Sequence, residues 1–304
     1  MQDINIGRQD KFNKENLKKL NSFKGFPVFS TIEINIHGSC NRRCAFCPRV
    51  DEKLWPNLDE RLDINLWEKI LKELKKNDYS GRIGFSGFSE PFLHPQLLEL
   101  VKLHSKYLPN RKLEITSNGD YIEEENTKEL FDNGLHAIKI SLYTNQKNAI
   151  KFEKIRNKLG LDTDRFFVRG RNKGSKNDFG LVLNNRAGSV DYKIIGKKNQ
   201  IKELPLQQGC NYPMFKIFMD YNGDCLLCSN DWAKKKIIGN TKNESLYEIW
   251  TNEKINSVRK KLLDNNRSYD PCIACDVNGL LNGNEYSETW AKAFSSKEKH
   301  LNKD

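Results

Sequence analysis

The strongest constraint on the fold is an alternation of strand-like and helix-like segments between about residue 30 and residue 185. Residues 31–36 alternate apolar and polar side chains and are rich in β-branched residues, a pattern typical of a strand. Leu66, Ile70, Leu71 and Leu74 then recur at helical spacing. Further strands are predicted at 82–88, 112–116, 137–142, 165–168 and 180–183, and helical patterns at 96–107, 124–133 and 145–159 separate most of them.

Strands that alternate with helices form parallel βαβ units, in either an open sheet or a barrel. The pattern holds about six units, which is fewer than the eight of a closed (β/α)8 barrel. We therefore predict an α/β fold built on a partial (β/α)6 TIM-like barrel. Parallel α/β folds carry their chemistry at the carboxyl ends of the strands, so we expect the functional site at that edge.

A second region follows a connection rich in Gly, Asn and Lys at about 170–205. The segments 216–221 and 225–229 predict two strands around the strong hairpin turn Asn222-Gly223, and 246–263 predicts a helix. The tail is polar, with Trp290 and Phe294 as candidate docking points. We expect an N-terminal extension at 1–29, the barrel core at 30–205, a small C-terminal β-hairpin plus helix domain at 206–280, and the tail at 281–304.

Composition and charge narrow the classes of partner. Charged residues make up 30% of the chain, no apolar run reaches the roughly 18 residues that a membrane span needs, and the N-terminus lacks a signal-peptide pattern. We predict a cytoplasmic protein with no membrane partner. The formal charge of +11 is compatible with nucleic acid, a phosphorylated substrate or a lysine-rich surface. Because no short block combines basic and aromatic residues, nucleic acid is disfavoured.

The eight cysteines fall into two groups, at 40/44/47 and at 210/225/228/272/275. Clustered cysteines in a chain that is predicted to be cytoplasmic indicate metal binding rather than disulfides. The thiolates of Cys40, Cys44 and Cys47 can surround an iron–sulfur cube and leave one of its four irons open to a small molecule, as a catalytic site requires. A zinc site completed by a residue such as His37 is the alternative, since structural zinc sites close their coordination.

The first group resembles the signature of the radical S-adenosylmethionine (SAM) enzymes, Cys-x3-Cys-x2-Cys with an aromatic residue, Phe46, before the third cysteine. The segment GFSEP at 87–91 resembles the family's GGEP segment, with Phe88-Ser89 in place of the double glycine, and TSNG at 116–119 resembles its TNG strand end. The resemblance implies cofactor contacts from Phe46, Ser89, Glu90, Thr116, Asn118 and Ser141.

The same resemblance implies a reaction. A [4Fe–4S] cluster on Cys40, Cys44 and Cys47 would bind the amino and carboxylate groups of SAM and cleave it reductively. The resulting 5′-deoxyadenosyl radical abstracts hydrogen from an unactivated carbon. A flavodoxin- or ferredoxin-type protein would supply the electron.

The second group resembles a SPASM or twitch auxiliary-cluster domain. Five cysteines rather than seven imply the shorter twitch form, with a second [4Fe–4S] cluster on Cys210, Cys228, Cys272 and Cys275. Cys225 is left over as a small buried hydrophobe, a swapped ligand or a hydrogen-atom donor. A zinc ribbon made by the two CxxC pairs remains an alternative.

Two reactions fit these cofactors. The cysteine spacing resembles that of family members that dehydrogenate an aminocyclitol, which implies oxidation of a secondary alcohol to a ketone with an electron passed to the auxiliary cluster. The alternative is epimerisation with Cys225 as the hydrogen donor. The segment NNRAG at 184–188 resembles members that act on sugars and cyclitols, so Arg186 is a candidate for a substrate hydroxyl or phosphate, or for a buried carboxylate. Tyr143 is a candidate wall of the pocket by position.

Other substrates and functions stay open from the sequence. The excess of positive charge favours a phosphorylated or nucleotide-linked sugar or cyclitol. Peptide modification is a rival, but only about thirty residues precede the first strand, too few for a peptide-recognition domain. A non-catalytic metal- or tRNA-binding protein is the remote alternative.

Overall fold

Parallel strands form the body of the protein, whose computed structural model describes residues 4–18, 22–143, 147–170, 184–191 and 202–301. A short N-terminal hairpin precedes the main sheet. The strands are β1 Ser22–Phe23, β2 Phe26–Pro27, β3 Thr31–Ile34, β4 Arg82–Phe85, β5 Lys112–Ser117, β6 Ala137–Leu142, β7 Phe166–Gly170, β8 Lys216–Met219, β9 Asp224–Leu226 and β10 Ile237–Asn240. The helices are α1 Ile4–Leu17, α2 Ile64–Lys76, α3 Leu97–Tyr107, α4 Glu124–Asp132, α5 Lys147–Lys158, α6 Tyr212–Phe215, α7 Leu246–Thr251, α8 Glu253–Leu263 and α9 Asn284–Leu301.

The main sheet has the order β10-β9-β8-β3-β4-β5-β6-β7. The strands from β8 to β7 in this order are parallel, whereas β9 and β10 pair antiparallel. The predicted α/β fold with a partial TIM-like barrel and a C-terminal hairpin is therefore confirmed. Strand β8, predicted within the separate C-terminal domain, pairs directly with β3 and so joins the second region to the core sheet. The strand predicted at 180–183 lies outside the described residues.

Alternation along the strands gives the barrel an apolar outside and a charged inside. Ile32 and Ile34 are fully buried in the main core, while the intervening Glu33 points to the other face. On the inner side, the carboxylate of Glu114 binds Arg82 at 3.0 Å and also contacts Lys139. Burial raises the tendency of Glu114 to protonate, but these cations hold its pKa well below the usual range. The inside of the barrel is thus a charged environment before any ligand enters it.

Helix α2 follows the predicted pattern. Asp63 caps it by accepting hydrogen bonds from the backbone nitrogens of Asn65 and Leu66, at 2.9 and 3.0 Å. Its apolar stripe is buried, as the helical spacing predicts. The helix predicted at 246–263 is instead two helices. Asn252 adopts an extended conformation between them and caps α8 by accepting from the backbone nitrogen of Ile255 at 3.1 Å.

The two ends of the chain contribute helices that the sequence pattern did not predict. Helix α9 docks through Trp290, which is fully buried and donates from Nε1 to the Met214 carbonyl at 2.8 Å. The Trp290 ring stacks on Phe26 at 5.1 Å between centroids and lies 3.7 Å from the guanidinium of Arg259. Phe294 is also buried, so both predicted docking points are confirmed. Within the described ranges, no helix has the length and apolar character needed to cross a membrane.

The docking of α9 makes a stability prediction. Trp290→Ala removes a fully buried indole and its hydrogen bond, and should lower the free energy of unfolding by about 3–5 kcal/mol. Denaturant unfolding under anaerobic conditions measures this change. Lys292→Ala, at an exposed position of the same helix, is the matched control and should cost less than about 0.5 kcal/mol. Equal effects of the two substitutions would show that α9 is not part of the core.

Candidate active site

Three cysteines lie on a loop shortly after β3. The backbone nitrogen of Cys47 donates to the Cys44 carbonyl at 2.9 Å, which folds the loop into a turn, and that of Cys40 donates to the side-chain oxygen of Asn57 at 3.1 Å. All three thiols are partly buried. Burial raises the pKa of Cys44 to about 11, and a bound metal would favour its thiolate form.

Arg49 fixes the shape of this loop. Its guanidinium is buried and donates to the carbonyl oxygens of Gly38 at 2.8 Å and Pro56 at 3.2 Å, and to the side-chain oxygen of Asn57 at 3.1 Å. It also bonds the Phe88 carbonyl. One side chain thereby ties together both ends of the cysteine loop and the segment after β4.

A second clamp joins the loop to the end of β5. Asp120 accepts from Nε of Arg42 at 2.7 Å and from the side-chain nitrogen of Asn41 at 2.7 Å. Asn118 donates to the side-chain oxygen of Asn41 at 2.8 Å, and its amide nitrogen lies 3.9 Å from Sγ of Cys40. The predicted residue Asn118 therefore lies beside the first cysteine group.

Glu90 is a buried carboxylate between these elements. It accepts hydrogen bonds from the backbone nitrogen of Asn118 and from the hydroxyl of Ser117, both at 2.8 Å, and from the backbone nitrogen of Phe92 at 3.2 Å. Burial raises its pKa to about 7 even though these donors favour the charged form. A carboxylate whose charged form is disfavoured by burial is stabilised by a cationic partner, so Glu90 suits the amino group of a ligand.

Ser89, one of the two residues that replace the double glycine, is held by Asn35. Its hydroxyl donates to the side-chain oxygen of Asn35 at 2.6 Å, and the same oxygen accepts from the Phe88 backbone nitrogen at 3.1 Å. Gly87 remains necessary, since its φ is +136° and a Cβ there would lie 3.0 Å from the Phe218 ring. Asn35 thus orders the segment at the position where the second glycine is missing.

The remaining predicted contacts lie on the neighbouring strand ends. Thr116 is in β5 and Ser141 is in β6, where it pairs in register with Arg169 of β7. The ring of Phe46 lies 5.1 Å from that of Tyr143, just beyond β6. The structure therefore brings the predicted cofactor residues together around the carboxyl ends of β3 to β6.

The second group converges as predicted. Cys210, Cys228, Cys272 and Cys275 line one cavity whose other walls include Leu227 and Val277. Burial raises the pKa of Cys210 to about 11 and that of Cys275 to about 12. Among the residues that the structure describes, no three or more His, Cys, Asp or Glu side chains are arranged around a single metal ion. Four thiols around a shared space fit a cluster whose ligands are distributed over several irons.

Cys225 is not among them. It is fully buried in the main core. Burial raises the pKa of its thiol, and the charges of nearby acidic groups, which include Glu73 of α2, raise it further. Its neighbour Leu226 points to the opposite face of β9 and packs with Phe88 and Trp232 beside Cys47. The thiol of Cys225 therefore faces the main core, which favours the small buried hydrophobe over the swapped ligand and the hydrogen-atom donor.

Arg186 lies between the two cysteine groups. Its guanidinium donates to the side-chain oxygen of Asn230 at 3.2 Å, and the backbone nitrogen of Asn230 donates to Sγ of Cys228 at 3.4 Å. On the other side, burial raises the pKa of Cys47 and the charge of Arg186 lowers it. Arg186 itself has a φ of +49°, a left-handed conformation that is uncommon outside glycine.

Known proteins match both parts of the chain. Residues 34–167 match the radical SAM superfamily, and residues 210–276 match the iron–sulfur cluster-binding domain SPASM. The chain is a radical SAM enzyme with a SPASM domain. Its cofactors are SAM and two iron–sulfur clusters, which confirms the predicted cofactors and leaves the zinc alternatives without support.

Individual relatives extend this result. The chain is 27% identical to the S-adenosyl-L-methionine-dependent 2-deoxy-scyllo-inosamine dehydrogenase of Niallia circulans, over 82% of this chain and 93% of the relative. It is 23% identical to the tungsten-containing aldehyde ferredoxin oxidoreductase cofactor-modifying protein of Pyrococcus furiosus, over 65% and 50%. The crystal structure of BtrN in complex with AdoMet and 2-DOIA has the same fold, with a TM-score of 0.71 and 24% identity over 86% of this chain and 98% of that chain.

The position of Arg49 makes a prediction about the first site. Arg49→Met removes the donor of four hydrogen bonds, each worth about 1–3 kcal/mol where an acceptor is left buried. The loop should then lose its cluster, so iron should fall from about eight to about four atoms per chain after exposure to a ferrous chelator. Lys53→Met, at an exposed position of the same loop, should retain its iron. Equal retention in both variants contradicts the assignment.

Proposed function

We propose that this enzyme oxidises a secondary alcohol of a cyclitol or sugar to a ketone. The likeness to the Niallia circulans dehydrogenase, which extends over 93% of that protein, supports this reaction. The observation that carries the proposal is the position of Arg186, which is hydrogen-bonded to Asn230 beside Cys228 and whose charge also acts on Cys47. A substrate bound at Arg186 would lie within reach of both cofactor sites. The positive charge of the chain extends the proposed class to phosphorylated or nucleotide-linked alcohols.

The chain's own residues divide into three roles in this proposal. Cys40, Cys44 and Cys47 hold the first [4Fe–4S] cluster, and Cys210, Cys228, Cys272 and Cys275 hold the auxiliary one. The residues around SAM are Phe46, Ser89, Glu90, Thr116, Asn118 and Ser141. Arg186 and Tyr143 border the substrate. When bound, these cofactors supply a 5′-deoxyadenosyl radical for hydrogen abstraction and an acceptor for one electron.

The proposed oxidation balances as follows for the substrate. The carbinol carbon loses one hydrogen atom, which ends in 5′-deoxyadenosine, and the hydroxyl loses its proton to solvent. The remaining electron would pass to the cluster held by the auxiliary cysteines, and a carbonyl would form. Arg186 can donate hydrogen bonds to the oxygen as its proton departs, which stabilises the developing negative charge. A flavodoxin- or ferredoxin-type protein supplies the electron that starts each turnover.

The product's mass tests the reaction. Anaerobically reconstituted enzyme with reductant and SAM should form 5′-deoxyadenosine together with a product two hydrogens lighter than its substrate. The panel contains 2-deoxy-scyllo-inosamine, sugar phosphates, nucleotide sugars and peptides, and Cys44→Ala is the inactive control. An unchanged mass with inverted stereochemistry would identify an epimerase, and a modified peptide would move the substrate to that class.

Two cysteines of the hairpin separate dehydrogenation from epimerisation. Cys225→Ala should leave turnover within about twofold of the parent, because that thiol faces the core rather than the site. Cys228→Ala should lose the auxiliary cluster and ketone formation. Turnover is measured as ketone per 5′-deoxyadenosine, beside the iron content of each variant. Loss of turnover in a well-folded Cys225→Ala protein would favour the epimerase.

Glu90 predicts a pH dependence of SAM binding. Its pKa of about 7, raised by burial, means that the carboxylate is ionised above that pH and protonated below it. Glu90→Gln should therefore weaken SAM binding most at pH 8, by about tenfold or more, and progressively less towards pH 6. Equilibrium dialysis with the cluster-loaded proteins gives the two dissociation constants. A ratio that stays constant between pH 6 and pH 8 would remove Glu90 from the proposed contact.

A further inference from the structure

A partly buried ion pair lies between the barrel interior and the auxiliary cysteines. Nζ of Lys216 on β8 is 2.6 Å from a carboxylate oxygen of Glu33 on β3. The side chains of Lys216 and Glu33 are 17% and 20% exposed. The other oxygen of Glu33 accepts from the hydroxyl of Ser86 at 2.8 Å, which leaves the carboxylate well satisfied.

The cation of this pair also faces the auxiliary site. Nζ of Lys216 lies 3.2 Å from the hydroxyl oxygen of Ser229, the residue after Cys228, and 5.1 Å from the ring of Tyr212, which lines the cysteine cavity. Burial raises the pKa of the Cys228 thiol, and the charge of Lys216 opposes that rise. Lys216 therefore stands between one carboxylate and one cysteine of the auxiliary group.

Several polar groups around the cavity are cationic or donate hydrogen bonds, within a lining that is mostly apolar. Asn230 donates two N–H groups to Sγ of Cys228, at 3.4 and 3.5 Å. The side-chain oxygen of Asn230 accepts a hydrogen bond from Arg186. On the far side, the buried Arg267 binds the carbonyl oxygens of Gly209 at 2.6 Å and Val277 at 3.0 Å. The carboxylate of Asp231, also at the cavity, accepts from backbone nitrogens instead. Lys216, Arg267 and the N–H groups of Asn230 therefore favour added negative charge in this cavity, and the carboxylate of Asp231 opposes it.

We propose that Lys216 raises the reduction potential of the auxiliary cluster and that Glu33 limits this effect, so that the pair sets the cluster's readiness to take an electron. Charge and hydrogen bonds near the cluster are established controls of such potentials. A cation stabilises the reduced, more negative state, and a nearby carboxylate destabilises it. The inference rests on the proposed function only in the direction of electron flow, from substrate to auxiliary cluster. The pair acts through the cluster, so both are positioning residues.

The test is a potentiometric titration of the auxiliary cluster alone. The full chain with Cys40→Ala, Cys44→Ala and Cys47→Ala loads only the second site, and electron paramagnetic resonance follows its reduction under anaerobic conditions. In this background Lys216→Met should shift the midpoint potential to a more negative value. Glu33→Gln should shift it to a more positive value and by a smaller amount, since its charge lies behind Lys216. Lys216→Arg, which keeps the charge, should stay near the parent.

Opposite signs separate an electrostatic role from a structural one. General loosening of the site would shift both variants in the same direction, and that result would overturn the proposal. Lys254→Met, which removes an exposed lysine of α8, is the control for a change in total charge and should leave the potential unchanged. A Lys216→Met shift no larger than this control also overturns the proposal. If Lys216→Met fails to load iron, the sign of the Glu33→Gln shift decides alone. The absence of a positive shift in Glu33→Gln would then refute the assignment.

The outcome is independent of the proposed reaction. The potential is measured without SAM or substrate, so the predicted shifts stand or fall whether or not a ketone is formed. Shifts of the predicted sign without ketone formation would reject the dehydrogenase and keep the role of Lys216. Ketone formation without the shifts would keep the dehydrogenase and reject the role of Lys216.

Discussion

The pairing of β3 with β4 on one side and β8 on the other is the constraint on which both cysteine sites depend. The register places Thr31 beside Lys216 and Ile34 beside Met219, although about 185 residues separate the two strands. The pairing continues beyond the strands, where the backbone nitrogen of Asn35 donates to the Met219 carbonyl at 2.9 Å. Since β9 then runs back antiparallel, Leu226 reaches the first cysteine loop while Cys228 returns towards the start of β8. Sheet hydrogen bonding thus fixes the relation between the two sites.

The two sites use their charged residues differently. At the first site the buried Arg49 donates its hydrogen bonds to backbone carbonyl oxygens and to the side-chain oxygen of Asn57. Its main effect is therefore on the geometry of the loop. At the second site Lys216 is balanced by Glu33. Burial tends to raise the pKa of Glu33, but the charge of Lys216 lowers it to about 2. A fully charged pair in a barrel interior is costly unless its desolvation is offset by further hydrogen bonds, which Ser86 and Ser229 provide. Such a cost is consistent with a role other than stability.

The sequence predicts what depends on local pattern. Strand β6 is found at the predicted residues 137–142 because every position in it is buried, and the leucines of α2 repeat at helical spacing. The cysteine groups and Glu90 were predicted from spaced motifs. Asn35, Arg49 and Asp120 were missed although each lies within a few residues of a motif, since their roles arise from hydrogen bonds across the sheet that no local pattern records. Helices α1 and α9 were missed because their polar composition hides the few buried residues that dock them.

Arg186 shows how the auxiliary site and the proposed substrate region are connected. Arg186 and Ala187 both have left-handed backbone conformations, with φ of +49° and +50°, which cost about 1–3 kcal/mol each at residues other than glycine. Such conformations persist only where neighbouring contacts hold them. Here Asn185 binds Asp276 through its backbone nitrogen at 2.9 Å and the Ala274 carbonyl through its side chain at 2.7 Å. Both partners flank Cys275, so the loop that completes the auxiliary cysteine set also holds Arg186 in place. Assembly of the second site therefore also fixes the position of Arg186.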